Sequence, residues 1–116
     1  MNPETSLKQN SDFRRVYARG KSAVSPRVVV YCRKNRQDGN RMGFTVSKKL
    51  GNAVTRNRVR RRLREIARLN AERTKQGYDL VLVARSRAVD AEYQKLEADV
   101  LRCFEQLQLL KKDGAE

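Results

Sequence analysis

The chain has 116 residues, 39% of them hydrophobic, which suffices for one small core and excludes a second domain of comparable size. Lysine and arginine number 27 against 13 acidic residues, and the net charge of +14 indicates a polyanionic partner: RNA, DNA or an anionic membrane surface. No apolar run approaches the roughly 20 residues of a membrane helix, and the first residues lack the apolar stretch of a secretory signal, so we expect a cytoplasmic protein.

The charge is distributed unevenly along the chain. Residues 41–68 hold ten basic side chains and a single acid, Glu65, whereas residues 90–116 hold seven acids and four bases. The net charges of these two segments are therefore +9 and −3. The first segment is suited to contact an anion, and the C-terminal segment is not.

A helix is predicted near the N-terminus, with Ser11 as its N-cap and Gly20 as the residue that ends it after about Arg19. Phe13 and Tyr17 lie one turn apart, so both rings project from the same face of this helix.

Two strands should follow this helix. The first covers "SPRVVVYCRKN", and the second covers "RMGFTVS". In the second strand, apolar residues alternate with Gly43, Thr45 and Ser47, which predicts one buried face and one open face. The Asp38-Gly39 pair between the strands is typical of a hairpin turn.

A basic helix is predicted from about residue 52 to Asn70, followed by an apolar and therefore central strand, "YDLVLVARS". Asp90 is expected to cap a last helix that ends near Leu110. The order α-β-β-α-β-α predicts a single α+β domain over residues 1–116, an α/β sandwich whose helices pack on a small mixed sheet. Strand, basic helix and strand form a crossover unit, whose hand the sequence does not reveal.

The basic helix places six arginines in the nine positions 56–64. At about 100° per residue, one apolar stripe should pack inward, formed by Val59, Leu63, Ile66 and Ala67. The other side of the helix, its flanks and the turn before it supply the candidate phosphate ligands: Lys48, Lys49, Arg56, Asn57, Arg58, Arg60, Arg61, Arg64 and Arg68.

This basic face has two interpretations, a solubilising surface or a phosphate-binding surface. A solubilising helix usually interleaves acids and bases, since each opposite pair at i,i+4 adds roughly 0.2–0.5 kcal/mol. Here only Glu65 offers such a partner, so an external anion explains the row of like charges better. Arginine bridges two phosphate oxygens and stacks on exposed bases, which favours a folded RNA recognised by its shape.

The open face of the sheet is a second candidate surface, beside the first helix, and would carry Val29, Tyr31, Thr45 and Ser47. Aromatic rings at such a surface stack on unpaired bases, at roughly 1–3 kcal/mol per base. The alternative is that Phe13 and Tyr17 only fix the first helix to the sheet. For any single aromatic, the residues alone favour this alternative.

No catalytic constellation is visible in the sequence. Histidine is absent, and Cys32 and Cys103 sit in apolar registers, as small core residues do. Metal-dependent phosphodiester cleavage usually needs clustered acids, whereas the acids here are scattered. We therefore expect no catalytic residue and no metal site on this chain, which argues against a self-sufficient nuclease.

The segment "RMGFTVSKKLGNAVTRNRVRRRLRE" closely resembles the signature of the protein subunit of bacterial ribonuclease P. The upstream segment "SDFRRVYARG", the order of elements and the length agree as well, so the resemblance covers nearly the whole chain. Two positions depart from the family pattern: Arg60 stands where lysine is frequent, and Tyr17 stands where phenylalanine is frequent. Charge and aromatic character are kept at both.

The resemblance implies a protein cofactor of a ribozyme. In that family, a catalytic RNA holds the active site and binds the magnesium ions, and the ribonucleoprotein, with one protein per RNA, removes the 5′ leader from precursor tRNA. The basic helix with Lys48 and Lys49 would contact the catalytic RNA. A cleft between the first helix and the sheet would hold the leader, and Phe13, Tyr17 and Tyr31 match its aromatics, which reverses the preference for a purely structural role.

The resemblance also implies an unusual left-handed crossover around the basic helix. A structural RNA-binding protein of the ribosomal type, without a role in processing, remains the alternative. It explains the charge equally well but does not explain the open aromatic face.

Overall fold

Apolar residues on both faces of a four-stranded sheet form the core of the protein. The structure is a computed structural model and describes residues 6–112. The strands are β1 (Lys21–Val24), β2 (Val28–Lys34), β3 (Arg41–Thr45) and β4 (Tyr78–Ala84), and the helices are α1 (Asn10–Arg19), α2 (Ala53–Leu69) and α3 (Tyr93–Gln106). The predicted α+β architecture and order of elements are confirmed, and β1 is one additional strand.

The strand order is β1-β2-β4-β3, with β4 parallel to β3 and antiparallel to β2. β4 is central, as predicted, because it is buried on both faces. Leu80 and Leu82 pack with α2 and α3 on one face, and Val81 packs with α1 on the other. Its continuous apolar run reflects this double burial.

The predicted hairpin at residues 38–39 is wrong. β4 lies between β2 and β3, so the loop that connects them crosses the end of β4. Asn35 Nδ2 donates to Asp79 Oδ1 at 3.0 Å, and Asn40 Oδ1 accepts the Tyr78 N–H at 2.8 Å, which holds the loop in place. The apolar faces of β4 are best buried at the centre of the sheet, and a local turn signal does not register this long-range preference.

β1 is a short edge strand that forms the actual hairpin, with β2 as its partner. Ala23 is its single buried residue, so β1 lacks the apolar alternation by which the other strands are recognised. This is why the sequence did not predict it.

Ser11 and Asp90 do not cap helices, contrary to the prediction. α1 begins one residue before Ser11, and α3 begins three residues after Asp90. The actual N-cap residues, Gln9 and Glu92, form no side-chain cap hydrogen bond, so cap chemistry does not set these boundaries. α3 also ends earlier than predicted, and Gln108 beyond it adopts a left-handed φ of 59° that stops the helix.

α2 confirms the predicted basic helix. Asn52 caps it by accepting the Thr55 N–H at 2.9 Å, and Gly51 before it has a φ of 141°, which glycine adopts at little cost. The apolar stripe of α2 is buried as predicted, through Val59, Leu63, Ile66 and Ala67.

Within residues 6–112, no helix combines the length and the apolar character needed to cross a bilayer.

Candidate nucleic-acid interface

The outward side of α2 carries a row of arginines that lack acidic partners. Arg61 and Arg64 are exposed, and Arg60 is half-buried, all away from the buried stripe. In the part of the chain that the structure describes, none of the six arginines between positions 56 and 64 forms an ion pair. Their mutual repulsion is therefore not offset by those residues, as expected of a surface that meets an anion.

Three arginines of α2 also contact neighbouring backbone. Arg58 Nη2 donates to Val89 O at 3.2 Å, and Arg62 Nη1 donates to Ala91 O at 3.0 Å, which attaches the loop before α3 to α2. Arg56 Nε donates at 3.2 Å to a carbonyl of the turn before the helix. A guanidinium has five N–H donors, so the exposed Arg58 keeps most of its donors for a phosphate, whereas Arg62 is half-buried against the loop.

Arg68 differs from the other candidate ligands because it is paired. Its Nη2 and Nε atoms donate to the two Glu65 carboxylate oxygens, at 2.6 and 3.0 Å. The hydrogen bond from Arg68 lowers the pKa of Glu65, and the same bond raises the pKa of Arg68. Among the predicted ligands, Arg68 is therefore the one that forms an ion pair within the described part of the chain.

Two further bases precede α2 on a short 3₁₀ turn, Lys48–Leu50. Lys48 and Lys49 are both exposed there, near the N-terminal end of α2, whose helix dipole also favours an anion. The Ser47 hydroxyl caps the turn by accepting the Lys49 N–H at 3.2 Å. Ser47 therefore belongs to this turn and does not line the cleft for which it was predicted. Asn57, exposed on α2, accepts a hydrogen bond from Arg60 Nη1 at 3.0 Å.

A cleft opens between α1, the end of β3 and α2. Phe13 lies directly on Gly43, where an added Cβ would overlap its ring, so glycine is required for this close approach. The Tyr17 hydroxyl hydrogen-bonds to Thr45 Oγ1 at 3.0 Å, with either oxygen as donor. The Tyr17 and Tyr31 rings meet edge to face, with centroids 4.9 Å apart and an interplanar angle of 84°.

These aromatics divide between two roles. Phe13 and Tyr31 pack on the smaller hydrophobic cluster around Val16 and Val81, and so help to fix α1 to the sheet. Tyr17 is 38% exposed, which leaves its ring accessible to a ligand. The structure therefore supports the fixing role for Phe13 and leaves Tyr17 available for stacking.

The structure brings four of the six residues predicted for the cleft together: Phe13, Tyr17, Tyr31 and Thr45. Val29 shares their side of the sheet but lies between strand neighbours on β1 and β4 and does not line the cleft. Five lining residues were not predicted for the cleft: Asn10, Arg14, Phe44, Val46 and Arg60.

Phe44 and Arg60 connect the cleft to the arginine row. Phe44 was assigned to the buried face by alternation, but β3 is an edge strand and its ring is half-buried. The Arg64 guanidinium carbon lies 5.5 Å from the centroid of that ring. Arg60 lines the cleft from the α2 side, and Arg14 lines it from α1, so two cations face the aromatics.

The buried acids of the chain serve the fold. Asp79 accepts two hydrogen bonds from Arg41, at 2.9 and 2.6 Å, and the side-chain hydrogen bond raises the pKa of Arg41. Asp99 accepts from the backbone N–H and from Nη1 of Arg27, both at 3.1 Å. Among residues 6–112, no group of three or more cysteine, aspartate and glutamate side chains is arranged to hold a metal ion. Burial raises the pKa of the thiols of Cys32 and Cys103, which keeps them protonated.

Comparison with known proteins identifies the family to which this chain belongs. The family model described as Ribonuclease P matches residues 1–108. The chain belongs to the ribonuclease P protein family. Ribonuclease P protein components from Alkaliphilus oremlandii and Natranaerobius thermophilus are 45% and 44% identical to it, over 90% and 97% of this chain and 91% and 98% of theirs. The resemblance inferred from the sequence is confirmed.

Solved structures of ribonuclease P proteins share the fold. The Staphylococcus aureus protein superposes with a TM-score of 0.85 at 31% identity, covering 92% of this chain and 98% of that one. The Thermotoga maritima protein gives a TM-score of 0.78 at 31% identity, covering 84% of this chain and 92% of that one.

Proposed function

We propose that this chain is the protein component of ribonuclease P, a cofactor that assists endonucleolytic removal of the 5′ leader from precursor tRNA. It binds the ribonuclease P RNA through α2 and the leader through the cleft beside α1. Family membership supports the role. The position of Arg60 supports a complex in which the two RNAs lie side by side, because this residue belongs both to the arginine row and to the wall of the cleft.

The two surfaces have the chemistry that these two RNAs require. α2 presents planar, permanently charged groups that hold phosphates without identifying bases, which suits a folded RNA. The cleft presents the accessible ring of Tyr17 between Arg14 and Arg60, which suits an unpaired strand, since stacking accepts any base and the cations hold its backbone. RNA on α2 and a strand in the cleft would meet at Arg60.

The cleavage chemistry belongs to the RNA subunit in this proposal. The chain has no histidine, and the buried acids within residues 6–112 are paired with arginines, so those residues offer neither a general base nor a metal ligand set. Magnesium would be bound mainly by the RNA, and none by the protein alone. The protein reduces repulsion between two polyanions, so less magnesium is needed for substrate binding. One protein acts with one RNA, in the cytoplasm.

Reconstitution with the matching ribonuclease P RNA tests this function. Leader removal from precursor tRNA is measured at limiting magnesium with the RNA alone, the chain alone and both together. We expect cleavage only with both, and recovery of the RNA-only reaction at high magnesium. An unrelated protein of similar net charge should not replace the chain. Cleavage by the chain alone, or no effect of the chain at low magnesium, would contradict the proposal.

A further inference from the structure

A second basic surface lies at the end of the sheet where β2 ends and β1 and β4 begin. Seven basic side chains and no acid line two adjoining depressions there, which share Lys34, Lys75 and Tyr78. None of the seven forms an ion pair within residues 6–112. We name this the lysine surface, and its bases are Arg19, Lys21, Arg33, Lys34, Arg36, Lys75 and Lys111.

The lysine surface is separate from the leader cleft. Lys34 pairs with Tyr78 at the start of β4, whereas Thr45, which lines the cleft, pairs with Val83 near its end. Five strand positions separate these two points on β4, which is about 17 Å at roughly 3.3 Å per residue. The two surfaces also use different parts of α1, because Phe13 and Tyr17 line the cleft and Arg19 at the C-terminal end of the helix lines the lysine surface.

The lysine surface begins near the C-terminal end of α2. Arg68, in the last turn of α2, and Gln76 line one small depression, and Gln76 also lines the lysine surface. A phosphate backbone that follows α2 toward its C-terminal end would therefore reach Lys75 next. Because the lysine surface adjoins α2 and not the cleft, its expected ligand is the RNA that binds α2.

The chemistry of this surface differs from that of the cleft. Four of its seven bases are lysines, which act as point charges on phosphates, and its single aromatic, Tyr78, is half-buried and packs on the main core. The surface has no accessible aromatic ring on which unpaired bases would stack, so a folded RNA backbone fits it better than a single strand. Three acidic side chains lie outside the described residues, Glu4, Asp113 and Glu116, and they are outnumbered by the seven bases of the lysine surface.

We infer that the lysine surface binds a second stretch of phosphates on the ribonuclease P RNA, independent of the leader. The inference rests on the proposed function of α2. It extends the RNA contact of the protein beyond α2, around the end of the sheet. Lysines contribute to affinity and to salt dependence there, and not to the discrimination between precursor and mature tRNA.

The first test compares two triple variants that each lose three positive charges. Lys34→Gln, Lys75→Gln and Lys111→Gln together should weaken binding to the ribonuclease P RNA about 10- to 100-fold at moderate salt and reduce the salt slope by about 2 to 3, at roughly 0.9 per phosphate contact. The control combines Arg87→Gln, Lys95→Gln and Arg102→Gln, which are exposed near or on α3, and should change the slope by less than 1. The preference of the holoenzyme for leader-bearing tRNA should stay the same.

The second test uses the unaltered chain, and so does not depend on the folding of a variant. Labelling with an amine-reactive reagent should show protection of Lys34, Lys75 and Lys111 in the complex with the RNA, while Lys95 stays reactive. Equal effects of the two triple variants, unprotected Lys34 and Lys75, or a loss confined to leader-bearing substrate would overturn the inference while the proposed function stands. Failure of the unaltered chain to bind the RNA would overturn both.

Discussion

The Arg64 guanidinium lies over the ring of Phe44, 5.5 Å from its centroid, and thereby joins the arginine row of α2 to the cleft beside α1. Arg64 belongs to the exposed row on α2, and Phe44 belongs to the wall of the cleft beside α1. A guanidinium that packs on an aromatic ring is held in position while its charge stays exposed to solvent. The geometry of the cleft and the geometry of the arginine row are therefore coupled through this pair.

Tyr31→Ala should weaken binding of leader-bearing precursor tRNA to the reconstituted holoenzyme about 5- to 100-fold, which corresponds to one lost stacking contact. The ring of Tyr31 positions the exposed ring of Tyr17 by their edge-to-face contact, so its removal affects both. Tyr31→Phe keeps the ring and should bind nearly as the unaltered protein does. Equilibrium binding with precursor and mature tRNA checks this, and an equal loss for both tRNAs would remove the cleft from leader recognition.

Gly43→Ala should destabilise the protein by about 1–3 kcal/mol, because the new methyl group overlaps the Phe13 ring. Phe13→Ala creates the space that the methyl group needs. The free energy of unfolding is measured by urea denaturation for both single variants and for the double variant. The double variant should lose less free energy of unfolding than the sum of the two single losses. Additivity within about 0.5 kcal/mol would mean that the ring and the glycine do not interact.

Arg62 and Arg61 are neighbours in sequence with opposite expected roles. Arg62→Ala should lower the free energy of unfolding by about 1 kcal/mol, since Arg62 donates to Ala91 O and attaches the loop before α3. Arg61→Ala should leave stability within about 0.5 kcal/mol and reduce the salt slope of RNA binding by about 1. Thermal unfolding and salt titration distinguish the two roles. A salt slope that falls more for Arg62→Ala than for Arg61→Ala would contradict the assignment.

The parts of the fold that local chemistry specifies could be predicted from the sequence. The apolar stripe of α2 and the approximate start of this helix were predicted because they depend on residues within a few turns of one another, whereas the amide cap at Asn52 is seen only in the structure. The central place of β4 also followed from its unbroken apolar run. The strand order did not, because it depends on which faces of distant segments are buried together, and the Asp38-Gly39 pair suggested a local hairpin instead.

The candidate site shows the same division. The arginine row was predicted from residue type and spacing. For Phe13, Tyr17 and Tyr31 the residues alone favoured a structural role, and the family resemblance supplied their assignment to the cleft. The internal uses of Arg58 and Arg62 were not predicted, since their acceptors are carbonyl oxygens of a loop about 30 residues further along the chain. The place of Phe44 in the cleft depends on β3 being an edge strand, which only the assembled sheet reveals. Glu65 was recognised as the single acid of the basic helix, but its pairing with Arg68 was not predicted, and Arg68 was assigned to the phosphate ligands.

The salt dependence of binding to the ribonuclease P RNA tests the role of α2 most directly. The double variant Arg60→Ala, Arg64→Ala is compared with the unaltered chain and with Arg87→Ala, Arg102→Ala, a control of equal charge. We predict that the first double variant binds about 10- to 100-fold more weakly at moderate salt and loses about 2 from the salt slope, while the control keeps its slope within about 0.5. An unchanged slope for Arg60→Ala, Arg64→Ala would show that the arginine row of α2 does not carry the RNA.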